Sequence, residues 1–271
     1  MLQATNVSFG YDERKPVLRG VNLVVPDGGI VGILGPNGSG KTTLLRLLAG
    51  TRHPQAGLVA LDGTPLTTLP RATLARRMAV VPQETQLAFD YTVAEVAMMG
   101  RYAHLRPFEI EGPSDIAVVE EALASTGTLA LKDRLFGTLS GGEKQRVVIA
   151  SALAQIFRLK PEAATDSSYL LLDEPTASLD VGYQLEVAGL LQALHEQRGV
   201  TIVVSTHDLA LVGALCQRVL LIREGVVLAD GTADETLTPE NLRRLYGVVV
   251  DVVHHASGRR LLVPTGRSAG A

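Results

Sequence analysis

The segment at residues 35–42 constrains the fold of this 271-residue chain more than any other part of it. It matches the pattern G-x-x-x-x-G-K-[ST], in which the glycines allow a tight loop. The apolar run Ile30–Leu34 precedes it, as expected of a buried strand, and leucines recur at helical spacing over 42–48. A strand, a glycine-rich loop and a helix in this order predict an α/β fold with a parallel sheet.

The loop has the composition of a phosphate-binding site. Its backbone N–H groups can surround phosphate oxygens, and the N-terminus of the following helix adds partial positive charge. We expect Lys41 to reach the β- and γ-phosphates and the Thr42 hydroxyl to ligate Mg²⁺, so the expected ligand is a nucleoside triphosphate with magnesium. The predicted nucleotide-binding residues here are Gly35, Pro36, Asn37, Gly38, Ser39, Gly40, Lys41, Thr42 and Thr43.

The chain around this loop continues the α/β pattern. Short strands over 3–9 and 21–25 predict an antiparallel β start. Later, Thr92 and Glu95 have the spacing of a capping box and apolar residues recur at helical intervals over 116–124, which predicts an inserted helical region. Apolar runs without strict alternation predict strands covered on both faces in one parallel sheet. These runs are 30–34, 78–81, 169–172, 202–205 and 219–222.

The C-terminal part predicts a capped helix and a hairpin. Thr238 is expected to cap a helix that has Pro239 in its first turn, ends at Tyr246 and is followed by Gly247. The predicted hairpin pairs 248–253 with 261–263 around 256–258, and residues 266–271 are expected to fray. We predict one domain at 1–235, with the helical region inserted at about 84–150, and a C-terminal extension at 236–271.

Composition limits the class of protein. The 25 Lys and Arg against 28 Asp and Glu give a formal charge of −3, which provides no general attraction for nucleic acid. Cys216 cannot form an internal disulfide, and the first residues lack the pattern of a signal peptide, so we expect a cytoplasmic protein. Since no apolar run is long enough to span a membrane, any work at a membrane would need a spanning partner.

Two carboxylates follow the apolar run that ends at Leu172. Asp173 is expected to be the acid on the metal side, because the carboxyl end of a parallel strand is where such a group can face a bound phosphate. Glu174 is expected to polarise the attacking water as a general base. A pair of structural carboxylates is the alternative, but the phosphate loop upstream favours catalysis.

The segment 139–145 carries a family resemblance. Its residues resemble the LSGGxxQ signature of the ATP-binding cassette (ABC) ATPases: Leu139, Ser140, Gly141, Gly142, Glu143 and Gln145. The resemblance implies a P-loop NTPase with a RecA-like parallel-sheet core, an antiparallel β subdomain and an inserted helical subdomain. It also implies a head-to-tail homodimer, in which this segment of one copy meets the γ-phosphate of the ATP bound to the other.

The resemblance extends to the other motifs of that family. Tyr11 lies where an aromatic residue stacks on adenine, although a solvent-facing tyrosine is the alternative. Gln83 resembles the glutamine that senses Mg²⁺ and links the core to the helical subdomain, and His207 resembles the histidine that contacts the γ-phosphate. The implied catalytic residues are Lys41, Gln83, Glu174 and His207, the metal ligands Thr42, Gln83 and Asp173, and the D-loop Ser178, Leu179 and Asp180.

Two segments resemble a narrower group, the ATPases of iron-siderophore, haem and cobalamin uptake. They lie at 92–104 and 237–248; a generic amphipathic helix and a generic capped helix are the alternatives. This resemblance implies an importer subunit at the cytoplasmic face of the membrane, partnered by a membrane permease and an extracytoplasmic solute-binding protein. An exporter ATPase or a soluble ABC ATPase acting on ribosomes or DNA stays open, but a single cassette without heptads disfavours the soluble class.

Two features depart from the family pattern. Ser151 stands where many relatives have an arginine, which leaves open how the helix after the signature is held. The polar segment 158–168 is longer than is usual, and we expect a surface loop there.

Overall fold

The computed structural model describes residues 1–12, 15–157, 167–177, 179–254 and 260–267. Its strands are β1 (Leu2–Asp12), β2 (Lys15–Val25), β3 (Ile30–Leu34), β4 (Ala56–Leu61), β5 (Thr64–Pro65), β6 (Met78–Val81), β7 (Tyr169–Asp173), β8 (Thr201–Thr206), β9 (Arg218–Arg223), β10 (Val226–Thr232), β11 (Val248–His254) and β12 (Arg260–Arg267). Its α-helices are α1 (Lys41–Leu48), α2 (Arg71–Ala75), α3 (Val93–Met98), α4 (Pro113–Ser125), α5 (Gly141–Ile156), α6 (Val181–Arg198), α7 (Leu209–Leu215), α8 (Ala233–Thr236) and α9 (Pro239–Tyr246).

The chain divides into two compact units. Unit 1 comprises residues 1–67 and 203–271, and unit 2 comprises residues 68–202. The boundary near residue 202 falls within β8. The domains predicted from the sequence, at 1–235 and 236–271, stay a prediction.

Unit 1 begins with an antiparallel sheet in the order β2-β1-β4-β5. Leu2 pairs with Val25 on one side and with Leu61 on the other, which fixes the register of the sheet. The predicted antiparallel start is confirmed, and both strands are longer than predicted. The sequence analysis did not predict β4 or β5.

The candidate phosphate loop of unit 1 follows a fully buried strand. β3 has the predicted bounds, and it pairs in parallel with β9 through contacts such as Ile33 with Leu220. β10 pairs antiparallel with the other edge of β9. α1 then buries Leu44, Leu45 and Leu47, so the loop is held between a strand and a helix that are both anchored in the core.

The tail of unit 1 has the predicted helix and hairpin. The Thr238 hydroxyl accepts a hydrogen bond from Asn241 N at 3.2 Å, and Gly247 ends α9 with a φ of 69°. β11 and β12 pair antiparallel. The prediction that residues 266–271 fray is wrong for Gly266 and Arg267, because both belong to β12 and pair with β11. The predicted turn at 256–258 and residues 268–271 lie outside the described residues.

Unit 2 combines a parallel strand pair with helices. β6 and β7 are parallel, with Val81 opposite Leu172. The predicted capping box is confirmed at α3, where Thr92 N donates to Glu95 Oε2 at 2.7 Å and Glu95 N donates to Thr92 Oγ1 at 3.3 Å. α4 covers the helix expected at 116–124. Most of the predicted surface loop at 158–168 lies outside the described residues.

Mixed parallel and antiparallel strands with helices confirm the predicted α/β class. Within the described residues, no helix is both long and apolar enough to cross a membrane. Cys216 is buried, and its burial raises the pKa of the thiol to about 12.

Candidate functional site

The candidate phosphate loop connects β3 to α1. Lys41 is buried, and its Nζ donates hydrogen bonds to Gly35 O at 2.8 Å and to Pro36 O at 3.2 Å. Ser39 is also buried, and its Oγ has no hydrogen-bond partner among the described residues. The unsatisfied buried hydroxyl of Ser39 indicates a polar ligand at this loop, because such a group is costly to bury without a partner.

The N-terminus of α1 is open toward this loop. Its N-cap is Gly40, whose φ of 105° favours glycine, and a side chain there would also come within 2.7 Å of Leu18. Among the residues that the structure describes, no side chain caps the helix, and its first turn contains no acidic residue. Backbone N–H groups at this end can therefore bind an anion.

Tyr11 lies in unit 1 at the end of β1, and its ring is 56% exposed. Its hydroxyl is 3.4 Å from Thr43 Oγ1 and accepts a hydrogen bond from Arg46 at 3.3 Å, while Phe9 packs edge-on at 5.1 Å. The hydrogen bond with Thr43 and the nearby Arg46 lower the pKa of Tyr11. An exposed ring held at its hydroxyl and at one edge can stack on a flat ligand. Sequence reasoning missed Phe9 and Arg46 as supports.

His207 follows β8 in unit 1 and is exposed. Its backbone oxygen accepts a hydrogen bond from the Tyr246 hydroxyl at 3.5 Å. The next residue, Asp208, caps α7 by accepting from Ala210 N at 2.8 Å and Leu211 N at 3.1 Å. The residues on both sides of the exposed imidazole are therefore held by regular structure.

A cavity of about 260 Å³ brings together candidate residues of unit 2 that are far apart in the sequence. Gln83, Gly141, Gln145, Glu174 and Leu179 all line it. Sequence reasoning identified each of these but could not show that they share a cavity. It missed the other lining residues, which are Glu84, Thr85, Gln86, Phe136, Lys144, Val148, Pro175 and Ala177.

The two candidate carboxylates lie at the carboxyl end of β7. Asp173 is its last residue, and both Asp173 and Glu174 are only 7% exposed. Glu174 has a φ of 48°, in the left-handed region that a non-glycine residue rarely adopts. Ala177 N donates to Glu174 O at 3.2 Å and closes a tight turn. Such backbone strain is typical of functional positions.

The candidate signature segment forms the start of α5. Ser140 is the N-cap, and its Oγ accepts from Glu143 N at 3.3 Å while Ser140 N donates to Glu143 Oε2 at 2.8 Å. These bonds lower the pKa of Glu143. A side chain at Gly142 would come within 2.2 Å of the Tyr183 ring, and Leu139 is buried beside this turn.

The candidate D-loop is only partly described. Leu179 N donates to Thr176 O at 3.1 Å and Leu179 lines the cavity, while Asp180 caps α6 by accepting from Tyr183 N at 3.1 Å. Ser178 lies outside the described residues.

The candidate metal ligands have the chemistry that Mg²⁺ prefers. Thr42, Gln83 and Asp173 supply hydroxyl, amide and carboxylate oxygens, which are hard donors. In the described part of the chain, no cluster of three His, Cys, Asp or Glu side chains could hold a metal ion. An ion held by a few protein oxygens together with substrate phosphates and water fits this donor set.

Comparison with known proteins identifies the family. Residues 18–177 match the model of the ABC transporter family. A hemin import ATP-binding protein (HmuV) of Bordetella avium is 41% identical over 255 residues, which cover 94% of this chain and 95% of the relative.

Solved structures agree with this match. An ABC transporter of the metal-chelate type, solved in an inward-facing conformation, has a TM-score of 0.82 at 30% identity and covers 97% and 96% of the two chains. A dimeric ABC transporter cassette has a TM-score of 0.71 at 28% identity and covers 86% and 99%. The predicted family resemblance and fold class are confirmed. The chain therefore belongs to the ABC transporter family, whose members are ATPases that couple ATP hydrolysis to transport.

Proposed function

We propose that this chain is the ATP-hydrolysing subunit of an importer for a metal chelate, with hemin as the favoured cargo. The observation that carries the proposal is the 41% identity to a hemin import ATP-binding protein along almost the whole of both chains. The likeness to a metal-chelate type transporter supports the broader class, which also includes ferric siderophores and cobalamin.

In this proposal the residues of unit 1 bind the nucleotide. Tyr11 stacks on adenine, the open N-terminus of α1 binds phosphate oxygens, and Lys41 leaves its two backbone carbonyl partners to reach the β- and γ-phosphates. His207 contacts the γ-phosphate. Mg²⁺, held by Thr42, Gln83 and Asp173, would neutralise charge on the phosphates.

Glu174 takes the role of general base. Its strained backbone and low exposure hold the carboxylate in one place, and it can accept a proton from the water that attacks the γ-phosphate. Gln83 lines the same cavity and can report the state of the nucleotide to the helical part of unit 2.

Two copies of the chain would complete the site. The N-terminus of α5 carries Ser140, Gly141 and Gly142, and in a head-to-tail homodimer it would meet the γ-phosphate bound to the other copy. Leu179 and Asp180 would lie at the same interface. The likeness to a dimeric cassette supports this arrangement.

The permease would bind to the segment 83–110 of unit 2. Four large apolar or aromatic side chains are exposed along it: Phe89, Tyr102, Phe108 and Ile110. Large apolar side chains left exposed can contribute to an interaction site. We infer a peripheral subunit at the cytoplasmic face of the membrane, working with a permease and an extracytoplasmic solute-binding protein and with no nucleic acid partner.

A reconstitution tests this proposal. The tagged chain is captured from gently solubilised membranes, and the permease that co-purifies is placed in liposomes with the chain and its binding protein. Hemin, cobalamin and a ferric siderophore are offered separately, with Glu174→Gln as the inactive control. ATP hydrolysis stimulated by hemin alone supports the full proposal, and stimulation by another chelate corrects the cargo. Recovery of ribosomes or of no membrane protein would overturn the importer assignment.

A further inference from the structure

The segment after α3 contains an exposed residue between two anchored ones. Residues Met99–Ala103 form a short 3₁₀ helix, in which Tyr102 is 61% exposed and Arg101 is 7% exposed. Because the exposed Tyr102 directly follows the buried Arg101, a partner that touches Tyr102 presses on a backbone whose neighbouring side chain reaches into the unit.

Arg101 binds the C-terminal end of α5, the helix that begins with the signature. Its guanidinium donates to Ala154 O at 2.7 Å and to Phe157 O at 3.2 Å, and its Nε donates to Asp115 at 2.9 Å. The last carbonyls of a helix lack partners within the helix and carry partial negative charge. Arg101 therefore donates hydrogen bonds to these carbonyls, while Asp115 balances its charge.

His104 binds the same helix end. Its Nε2 is 2.7 Å from Gln155 O, and because a carbonyl can only accept, this nitrogen donates. The Gln155 side chain in turn donates to Ala75 O at 2.8 Å and to Met78 O at 2.9 Å. Met78 begins β6, the strand that leads to Gln83. The end of α5 is thus bonded both to the exposed segment and to the start of β6.

The backbones also touch at this place. A Cβ at Gly100 would lie 2.1 Å from Ser151 O, so only glycine permits the approach. Arg76 donates to Ala103 O at 3.0 Å. Close backbone packing of Gly100 against Ser151 therefore helps to hold α5 at the position where many relatives have an arginine.

We propose that Arg101 and His104 are positioning residues that join the permease-facing segment to both nucleotide-sensing elements of unit 2. We call these two side chains, with the carbonyls of Ala154, Gln155 and Phe157, the α5 joint. A displacement of Tyr102 moves the end of α5, and a hydrogen-bonded helix of this length transmits the displacement to Ser140 at its other end. Through Gln155, the same displacement reaches β6 and Gln83.

A purely structural role explains the α5 joint less well. Burial of the Arg101–Asp115 pair costs desolvation, and apolar residues of similar volume would often hold the helices together equally well. Burial alone would raise the pKa of Asp115, but the hydrogen bonds from Gly112 N and from Arg101 outweigh it. The pKa of Asp115 is therefore lowered, and the pair is held charged. A charged, directional contact fixes the position of a helix end in a way that apolar packing does not.

Variants of His104 separate positioning from folding. His104→Leu removes the donor to Gln155 O, whereas His104→Gln keeps an N–H that can reach it. Arg101→Lys keeps the charge beside Asp115 but cannot bond all three partners, and it provides a second variant with little risk to folding. His53→Leu in unit 1 is the matched control. None of these residues belongs to the candidate catalytic set.

The first measurement needs no permease. Hydrogen–deuterium exchange is followed in the Glu174→Gln background with and without ATP and Mg²⁺. We expect ATP to change exchange over 99–105 by about 3-fold or more, and His104→Leu to abolish that change while protection at 139–145 persists. His104→Gln should restore it. An equal change at 99–105 in His104→Leu, or no change without the substitution, would overturn the inference.

The second measurement uses the reconstituted complex, because this inference rests on the proposed importer function. His104→Leu and Arg101→Lys should hydrolyse ATP alone at the normal rate within about 2-fold, yet lose about 5-fold or more of the stimulation by permease and cargo. Full stimulation in both variants would overturn the inference. If no permease stimulates the unsubstituted chain while the exchange result holds, the importer proposal fails and the α5 joint stands.

Discussion

The helices that begin at the two candidate phosphate-binding segments differ at their N-termini. In the described part of the chain, α1 has no side-chain cap, and its first turn has no acidic residue. α5 has a complete capping box, formed by Ser140 and Glu143. A box of the same kind, with distances of 3.3 Å and 2.8 Å, caps α8 through Thr232 and Glu235.

This difference suggests how each end binds phosphate. Without a side-chain cap, the loop before α1 gives up the stability that a cap would add, and the positive end of the helix suits an anion. α5 is capped by its own chain. In the proposed homodimer, phosphate bound to the other copy would have to replace or share the bond that the Ser140 hydroxyl makes. On this view α1 is a permanent anion site and α5 becomes one only in the dimer.

The largest expected effect on ATP hydrolysis comes from removing the lysine at the start of α1. Lys41→Met should lower ATP hydrolysis by about 100-fold or more, because it removes the amine that we propose stabilises the phosphate charge. Phosphate release measures the rate. Lys132→Ala, which removes an exposed lysine paired with Glu120, is the matched control and should change little. Near-normal hydrolysis in Lys41→Met would place the nucleotide elsewhere.

Glu174→Gln should have the next largest effect on ATP hydrolysis. The substitution removes the proposed base but keeps shape and hydrogen bonding, so we expect hydrolysis to fall by about 100-fold while ATP stays bound. Bound nucleotide after gel filtration measures retention, and Glu120→Gln is an exposed control. A normal rate of hydrolysis in Glu174→Gln would show that another group is the base.

A matched pair of caps tests the α5 side directly. Ser140→Ala and Thr232→Ala should each lower the free energy of unfolding by about 1 kcal/mol, since both remove an N-cap. Only Ser140→Ala should also slow ATP hydrolysis, by about 10-fold, because only that hydroxyl is proposed to meet phosphate. Denaturant unfolding and phosphate release give the two quantities. Equal rates in both variants would make the Ser140 box purely structural.

The smallest expected effect is on how the free energy of unfolding depends on acidic pH. Hydrogen bonds from Ser140 hold the pKa of Glu143 below its ordinary value in the folded state. This stabilising contribution is therefore present above the pKa of the unfolded chain, about 4.3, and is lost as the pH falls through the lower folded value. Comparison of unfolding free energies for the unsubstituted chain and Glu143→Gln should show a difference at pH 7 that shrinks below about pH 4. A gap that is constant with pH would contradict this cause.

The bounds of an element were predicted most accurately from the sequence where the element's own residues form a clear pattern. β3 and β6 have the predicted bounds, since continuous apolar runs report burial directly. β10 was missed because it lies beyond β9 with mixed exposure and no clear alternation. α6 was also missed, although Val187, Leu191 and Leu194 have helical spacing and lie on its buried face.

Prediction of the candidate site was limited in the same way, to what short segments of sequence show by themselves. The motif residues could be named one by one, but the shared cavity of Gln83, Gln145 and Glu174 depends on how distant segments pack. Arg101 is the sharper case. A charged residue is expected to face solvent, and only the packing of α4 and α5 reveals that the partners of Arg101 are Asp115 and a helix end.

The most direct test of the account is the molar mass of Glu174→Gln in solution with ATP and Mg²⁺, measured by light scattering. We expect a molar mass of twice the 28.7 kDa of one chain with ATP, and that of a single chain with ADP or when Ser140→Ala is added. A single chain at saturating ATP would contradict the claim that α5 of one copy completes the nucleotide site of the other.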